Sequence, residues 1–272
     1  MKTIGIIGIG WVGNTVKQWF VSRDHKVLCK DTNRALNYND NIEDADVIFI
    51  CVPTPSKEDG ACDTSIVELV VSELSAYKGT IVIKSTVPPG TTKLLADKYS
   101  CVAMFNPEFL TEANAEKDFN KPDRQIIGIT NPDDYEVAQK ILSILPKAGC
   151  TMIVDAKAAE MAKYAANVFG AMKVVYSNVI YDYCAASGIN YDDVKDVVGV
   201  DKRIGKSWME IFQMDKNWRG YGGSCFPKDV KGFLKLTDNN DDKVLQAGHR
   251  FISAMREYNK TLKESCGIEE DA

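Results

Sequence analysis

From Ala156 to Ser187 the chain contains no proline and a single glycine, Gly170, and its apolar residues recur at helical spacing on more than one face. This pattern predicts one uninterrupted helix. At about 1.5 Å per residue it approaches 50 Å, longer than a small domain is wide. Ser187-Gly188 is a suitable C-terminal stop. A helix apolar on several faces packs against its own chain and keeps surface for a partner subunit, so a homodimer through this helix is expected. Further helices are expected at Tyr191–Val198, Pro227–Thr237 and Asp242–Lys263.

The preceding residues follow a different grammar. Short β-branched runs at Thr3–Gly8, Lys26–Lys30, Asp46–Val52, Thr80–Lys84, Cys101–Phe105, Gln125–Thr130 and Thr151–Val154 read as strands. Helical patterns at Val12–Ser22, Ser65–Ala76, Thr91–Tyr99 and Asp133–Leu145 lie between several of them. Near-continuous apolar strands alternating with helices imply a sheet covered on both faces. The expected fold is α/β: a Rossmann-like, doubly wound, mostly parallel sheet over 1–155, then an all-α domain over 156–272 built on the long central helix.

Composition removes several classes of function. The 272 residues, 45% hydrophobic and 26% charged, have the balance of a globular protein. The net charge of −5 comes from 33 basic and 38 acidic residues without a basic stripe, so nucleic acid is not an expected partner. The longest apolar run, Val47–Val52, is roughly a third of a membrane span. Met1-Lys2-Thr3 runs straight into a strand-like segment with no cleavage-site pattern, so no signal peptide is expected and a cytoplasmic location is. Eight cysteines stand singly, without a CxxC pair, beside two histidines, so no metal site and no disulfide framework are expected. Most of these thiols read as small buried hydrophobes. Cys225 is the exception.

Gly8-Ile9-Gly10-Trp11-Val12-Gly13 fits the dinucleotide pattern GxGxxG and has the right context: a strand before it, a helix opening in it, and Asp31 at the end of the next strand. Gly8 permits the tight turn, Gly10 lets the backbone approach a pyrophosphate, and Gly13 lets the helix pack closely. The helix N-terminus supplies N–H groups for phosphate. Asp31 is placed to accept from a ribose 2′-hydroxyl and to repel a 2′-phosphate, which favours NAD over NADP.

A second signal is Tyr221-Gly222-Gly223-Ser224-Cys225-Phe226-Pro227-Lys228-Asp229. Pro227 suits a first helical turn, which puts Cys225 at a helix N-terminus where a thiolate is favoured. Lys228 and Asp229 follow at helical spacing on the side of the thiol, an arrangement suited to a covalent nucleophile. On the long helix, Lys163 and Asn167 interrupt small and apolar neighbours and so are expected to have partners; Glu160 shares their face. Loops beyond the C-terminal strand ends face the ligand crevice of a doubly wound sheet. Here these are Val52-Pro53-Thr54-Pro55, Lys84 to Gly90, and Phe105 to Glu112. Glu108, flanked by Phe105 and Phe109, reads as a general base with a raised pKa.

Taken in order, GIGWVG at Gly8, VPTP at Val52, KSTVPPGTT at Lys84, NPEFLTE at Asn106, AEMAKYAAN at Ala159 and GGSCFPKD at Gly222 resemble the UDP-glucose/GDP-mannose dehydrogenase family, on its UDP-glucose 6-dehydrogenase branch. The resemblance implies oxidation of the C6 primary alcohol of a nucleotide sugar to the carboxylate with two NAD per turnover, a step that feeds polysaccharide biosynthesis. It implies that Cys225 is the nucleophile, passing through a thiohemiacetal and a thioester. Lys163 and Asp229 would share a basic water positioned by Thr86 and Asn167, and Glu108 would assist hydrolysis. The cofactor side would comprise Trp11, Val12, Val52, Pro53, Thr54, Ser85, Glu112 and Lys228 beside the glycines and Asp31. The substrate side would comprise Phe109, Leu110, Tyr221, Gly222 and Arg203, the last donated across a dimer.

Three features depart from the family pattern. Family members carry a third, strand-rich domain that completes the nucleotide pocket, and none is expected within these 272 residues, so NAD binding with weak turnover is the expectation. Only fourteen residues separate Asp31 from Asp46, and Asn217-Trp218-Arg219 replaces a small, glycine-rich run. The competing readings are a β-hydroxyacid-type dehydrogenase, which uses a lysine and an asparagine without a cysteine, and a non-catalytic NAD-binding dimerisation remnant.

Overall fold

A computed structural model describes residues 2–111, 114–212, 218–238 and 240–270. The chain divides into two compact units, Met1–Pro55 with Cys62–Lys163, and Ser56–Ala61 with Tyr164–Ala272.

The first unit is built on a seven-stranded sheet of order β2-β1-β3-β4-β5-β6-β7. The strands are β1 (Thr3–Ile7), β2 (Lys26–Lys30), β3 (Val47–Ile50), β4 (Thr80–Ile83), β5 (Val102–Phe105), β6 (Arg124–Ile129) and β7 (Cys150–Asp155). All neighbours are parallel except β5 and β6. Ile48 and Ile50 of β3 face one core with Ile81 and Ile83, while Val47 and Phe49 face the other with Val82, so both faces are covered. The first core lies under α2 (Ser65–Glu73) and α3 (Thr91–Tyr99), and the second under α1 (Trp11–Val21) and α5 (Tyr135–Ile144). This is the doubly wound, mostly parallel architecture expected from the sequence.

Two local features were not legible in advance. The short helix α4 (Ala115–Asn120) has one buried anchor, Phe119, too few apolar residues for a periodic signal. Between β2 and β3 the chain makes two 3₁₀ turns, Arg34–Leu36 and Ile42–Asp44, and bridges Lys30 to Asn39, so the edge strand β2 is partly covered.

α6 (Ala156–Ser187) is one continuous helix of 32 residues. The division between the units falls inside it, and its first turns belong with the sheet: Ala159 sits in the first core, and buried Glu160 accepts from the N–H and hydroxyl of Thr92 and from the N–H of Gly90 at the start of α3. The second unit is helical, with α7 (Tyr191–Gly199), α8 (Phe226–Leu236) and α9 (Lys243–Ser265) beside the rest of α6. Its core joins Val168, Ala171, Val174 and Val175 of α6 to Val230 and Leu234 of α8 and Met255 of α9. Among the described residues no helix is long and apolar enough to cross a membrane.

Candidate active site

In the first unit, β1 lies between β2 and β3, so consecutive strands depart to opposite sides of it, and this switch point is where open α/β sheets bind ligands. Gly8 leaves β1 at φ +88°, and a Cβ there would lie 2.7 Å from the Cys51 carbonyl oxygen. At Gly13 an added Cβ would lie 1.8 Å from the Gly8 oxygen, so α1 starts directly against the loop. Gly10, the residue before α1, has open space where its Cβ would be. The Asp31 carboxylate accepts from the Ile9 N–H at 2.6 Å and from the Asn33 N–H at 2.7 Å. A cleft of about 950 Å³ runs alongside, lined by Ile9, Gly10, Trp11, Leu36, Tyr38 and residues of α4.

The strand exits next to this loop are tied together. The Ser85 hydroxyl donates to the Val52 carbonyl at 2.6 Å, and Thr54, Ser85 and Thr86 are buried. Asn106, fully buried after β5, donates to Gln125 and to the Ile126 carbonyl and accepts from the Lys84 ammonium at 2.7 Å. Two residues on, Glu108 Oε1 meets Lys163 Nζ at 2.8 Å and Oε2 accepts from the Leu110 N–H at 2.9 Å. Burial pushes the Glu108 carboxyl up, but the Lys163 charge and hydrogen bond, the Leu110 N–H and the Lys84 charge together outweigh it and hold the carboxyl below its ordinary range. The raised pKa expected from flanking phenylalanines is therefore corrected. Phe109 itself carries the Arg124 guanidinium 3.7 Å from its ring centroid, so the surroundings are cationic.

In the second unit, Cys225 is the residue before α8, and its carbonyl accepts the first helical bond from the Asp229 N–H at 3.0 Å. The Asp229 side chain is buried. It accepts from Asn167 of α6 at 2.5 Å and pairs with Lys228 at 2.5 Å. Lys163 and Asn167 thus both have the partners that their unusual positions called for. The half-buried thiol lies 3.6 Å from the Ser224 hydroxyl. Tyr221 is buried, with its ring 6.3 Å from that of Phe226, and Gly222 is partly exposed. Arg203 is exposed and forks onto Asp201. Glu112 lies outside the described residues. Among the described residues no group of three or more His, Cys, Asp or Glu side chains could hold a metal.

Residues 34–145 match the NAD binding domain of the UDP-glucose/GDP-mannose dehydrogenase family, and residues 157–261 match its central domain. The chain belongs to that family. It is 38% identical over 221 residues to a UDP-glucose 6-dehydrogenase of Rickettsia felis, covering 77% of this chain and 48% of the relative. It is 36% identical over 265 residues to one of Rhizobium meliloti, covering 90% and 57%. Among solved structures, a UDP-glucose dehydrogenase of Pyrobaculum islandicum superposes with a TM-score of 0.81 at 28% identity, over 96% of this chain and 68% of that one. The chain spans about half the length of the Rickettsia relative that it matches.

NAD is the cofactor of this dehydrogenase family, and the residues present fit it. The open space at Gly10 leaves the main chain accessible, the unpaired N–H groups of a first helical turn suit a pyrophosphate, and Asp31 stands at the loop with a carboxylate that suits a ribose diol. The Lys84–Asn106 contact joins two of the dehydrogenase motifs and is not apparent from either one alone. Burial pushes the Lys84 ammonium down to about 8, and the thiol of neighbouring Cys51 up to about 12. The available signal was a lysine directly after the apolar run Ile81–Ile83, a position where a charge needs a specific partner.

Proposed function

We propose that the chain carries the chemistry of a UDP-glucose 6-dehydrogenase: oxidation of the C6 alcohol of a nucleotide sugar, UDP-glucose, to the carboxylate of UDP-glucuronate. NAD, when bound, takes up the hydride at each of the two oxidations. The Cys225 sulfur adds to the C6 carbonyl carbon of the aldehyde to give a thiohemiacetal, and the second oxidation leaves a thioester. Water then attacks the thioester carbon and the C–S bond breaks, releasing carboxylate and thiol. Glu108, kept as a carboxylate beside Lys163, takes a proton from that water, and the Lys163 ammonium offsets negative charge developing on the substrate oxygen. Asp229, aligned by Asn167, serves as proton acceptor in the first oxidation with Thr86. Arg203 and Phe109, Leu110, Tyr221 and Gly222 hold the substrate.

The observation that carries this reading is Cys225 at the start of α8, with a buried Asp229 one turn on that Asn167 bonds directly. A β-hydroxyacid-type enzyme has no use for that thiol. Intact-mass analysis after incubation with NAD and UDP-glucose tests the reading. A glucuronyl adduct mapped to Cys225 and absent from Cys225→Ser is expected. Full activity of Cys225→Ser, on UDP-glucose or on a small hydroxyacid, overturns it.

The eight cysteines are thiols and not disulfides, as suits a reducing compartment, and the cytoplasm is the proposed location. A homodimer through α6 is supported by Phe169, Tyr176 and Tyr183, exposed at seven-residue intervals. Tyr176→Glu is expected to convert dimer to monomer in sedimentation, and a monomeric parent chain removes this part of the proposal.

A further inference from the structure

The four residues before the glycine pair, Trp218-Arg219-Gly220-Tyr221, are held from alternate sides. Buried Trp218 receives the ammonium of Lys263 of α9, itself fully buried, 3.4 Å from its ring centroid. Arg219 turns to α6, where it pairs with Asp182 at 2.7 Å and donates to Asn178 at 3.0 Å. One turn before Lys263, Asn259 is fully buried and accepts from the Tyr221 N–H at 2.7 Å while donating to the Tyr221 carbonyl at 3.1 Å. The side-chain amide thus pairs with the main chain as a neighbouring strand would. Gly220 (φ +91°) makes room for it, since a Cβ there would lie 2.4 Å from Asn259 Oδ1. Trp218 and Arg219 are therefore anchors for this segment.

We propose that Asn259 is a positioning residue: by locking both polar atoms of the Tyr221 main chain to α9, it sets the register of the turn that ends at the Cys225 thiol. Gly222 and Gly223 follow at once, and Gly223 has φ +78°. Two glycines have little intrinsic preference for one path. The fixed point before them decides where Cys225 enters α8. The consequence for turnover rests on the reading of Cys225 as the reacting thiol, but the geometry does not.

Asn259→Leu and Asn259→Asp in the full chain test the proposal by hydrogen exchange and by iodoacetamide labelling of Cys225, with exposed Cys150 as internal reference. Loss of two buried hydrogen bonds predicts exchange about tenfold faster in the 218–225 peptide and a Cys225/Cys150 labelling ratio changed by about tenfold, with other peptides unaltered. Asn259→Asp keeps the acceptor for the Tyr221 N–H and fits the same space. It is expected to show a smaller change of the same kind, and it stands in if the apolar variant does not fold. Parent-like exchange and labelling in the folded variants overturn the proposal, as does a change spread evenly over the second unit, which marks a merely structural role. Neither readout needs turnover, so a fully active Cys225→Ser would sink the proposed function and leave this test intact.

Discussion

The two units hold their acidic residues by different means. Glu108 sits on a loop leaving the sheet and meets Lys163 in an ion pair with side-chain exposures of 11% and 4%, backed by a second buried lysine, Lys84. Asp229 sits on a helix one turn from its start, with a neutral amide on one oxygen and the partly exposed Lys228 on the other. The first arrangement is costly to build, because two charges leave water, and it is unforgiving when one is removed. The second spreads one charge over an amide and a partly solvated cation, so losing one partner leaves the other. Loss of a partner is therefore expected to cost more in the sheet unit than in the helical one.

Lys163→Met is the most direct way to break this contrast. It leaves buried Glu108 without an ion-pair partner, with only the Leu110 N–H and the charge of Lys84, and the expected loss is about 3–5 kcal/mol in urea unfolding. A second measurement concerns Lys84, whose folded-state pKa of about 8 lies below the ordinary 10.5. Between those values the unfolded chain binds more protons than the folded one, so stability rises with pH across that window, by up to about 3 kcal/mol. Lys84→Met is expected to remove that rise, and an unchanged pH profile would show that the amine is not held as described. Asn167→Leu should cost least, about 1–3 kcal/mol, since Asp229 keeps Lys228. If it proved as damaging as Lys163→Met, the two units would hold their acidic residues equally tightly.

Legibility followed sequence distance. Gly8, Gly10, Gly13 and Asp31 were readable because turn, helix start and strand end are local events with few compatible residue types. Cys225, Pro227 and Asp229 were readable as the opening of a helix for the same reason. Lys163 and Asn167 were recognised as residues that need partners, but not which partners: Glu108 lies 55 positions away and Asp229 lies 62. Glu108 shows the cost of that gap. Its aromatic flanks in sequence implied a raised pKa, whereas its neighbours in space, Lys163 and Lys84, hold the pKa down.

By itself the sequence determined the order of the strands and, the short α4 aside, of the α-helices, together with the dinucleotide turn, the unbroken 32-residue α6 and the helix that begins at the thiol. Each depends on backbone preference and apolar periodicity within a few residues. Only the tertiary structure decided that Glu160 caps α3, that Lys84 reaches Asn106, that Glu108 is paired from α6 and that Asn259 grips Tyr221. A buried polar group must find its complement wherever packing brings one, and packing joins residues that the chain keeps far apart.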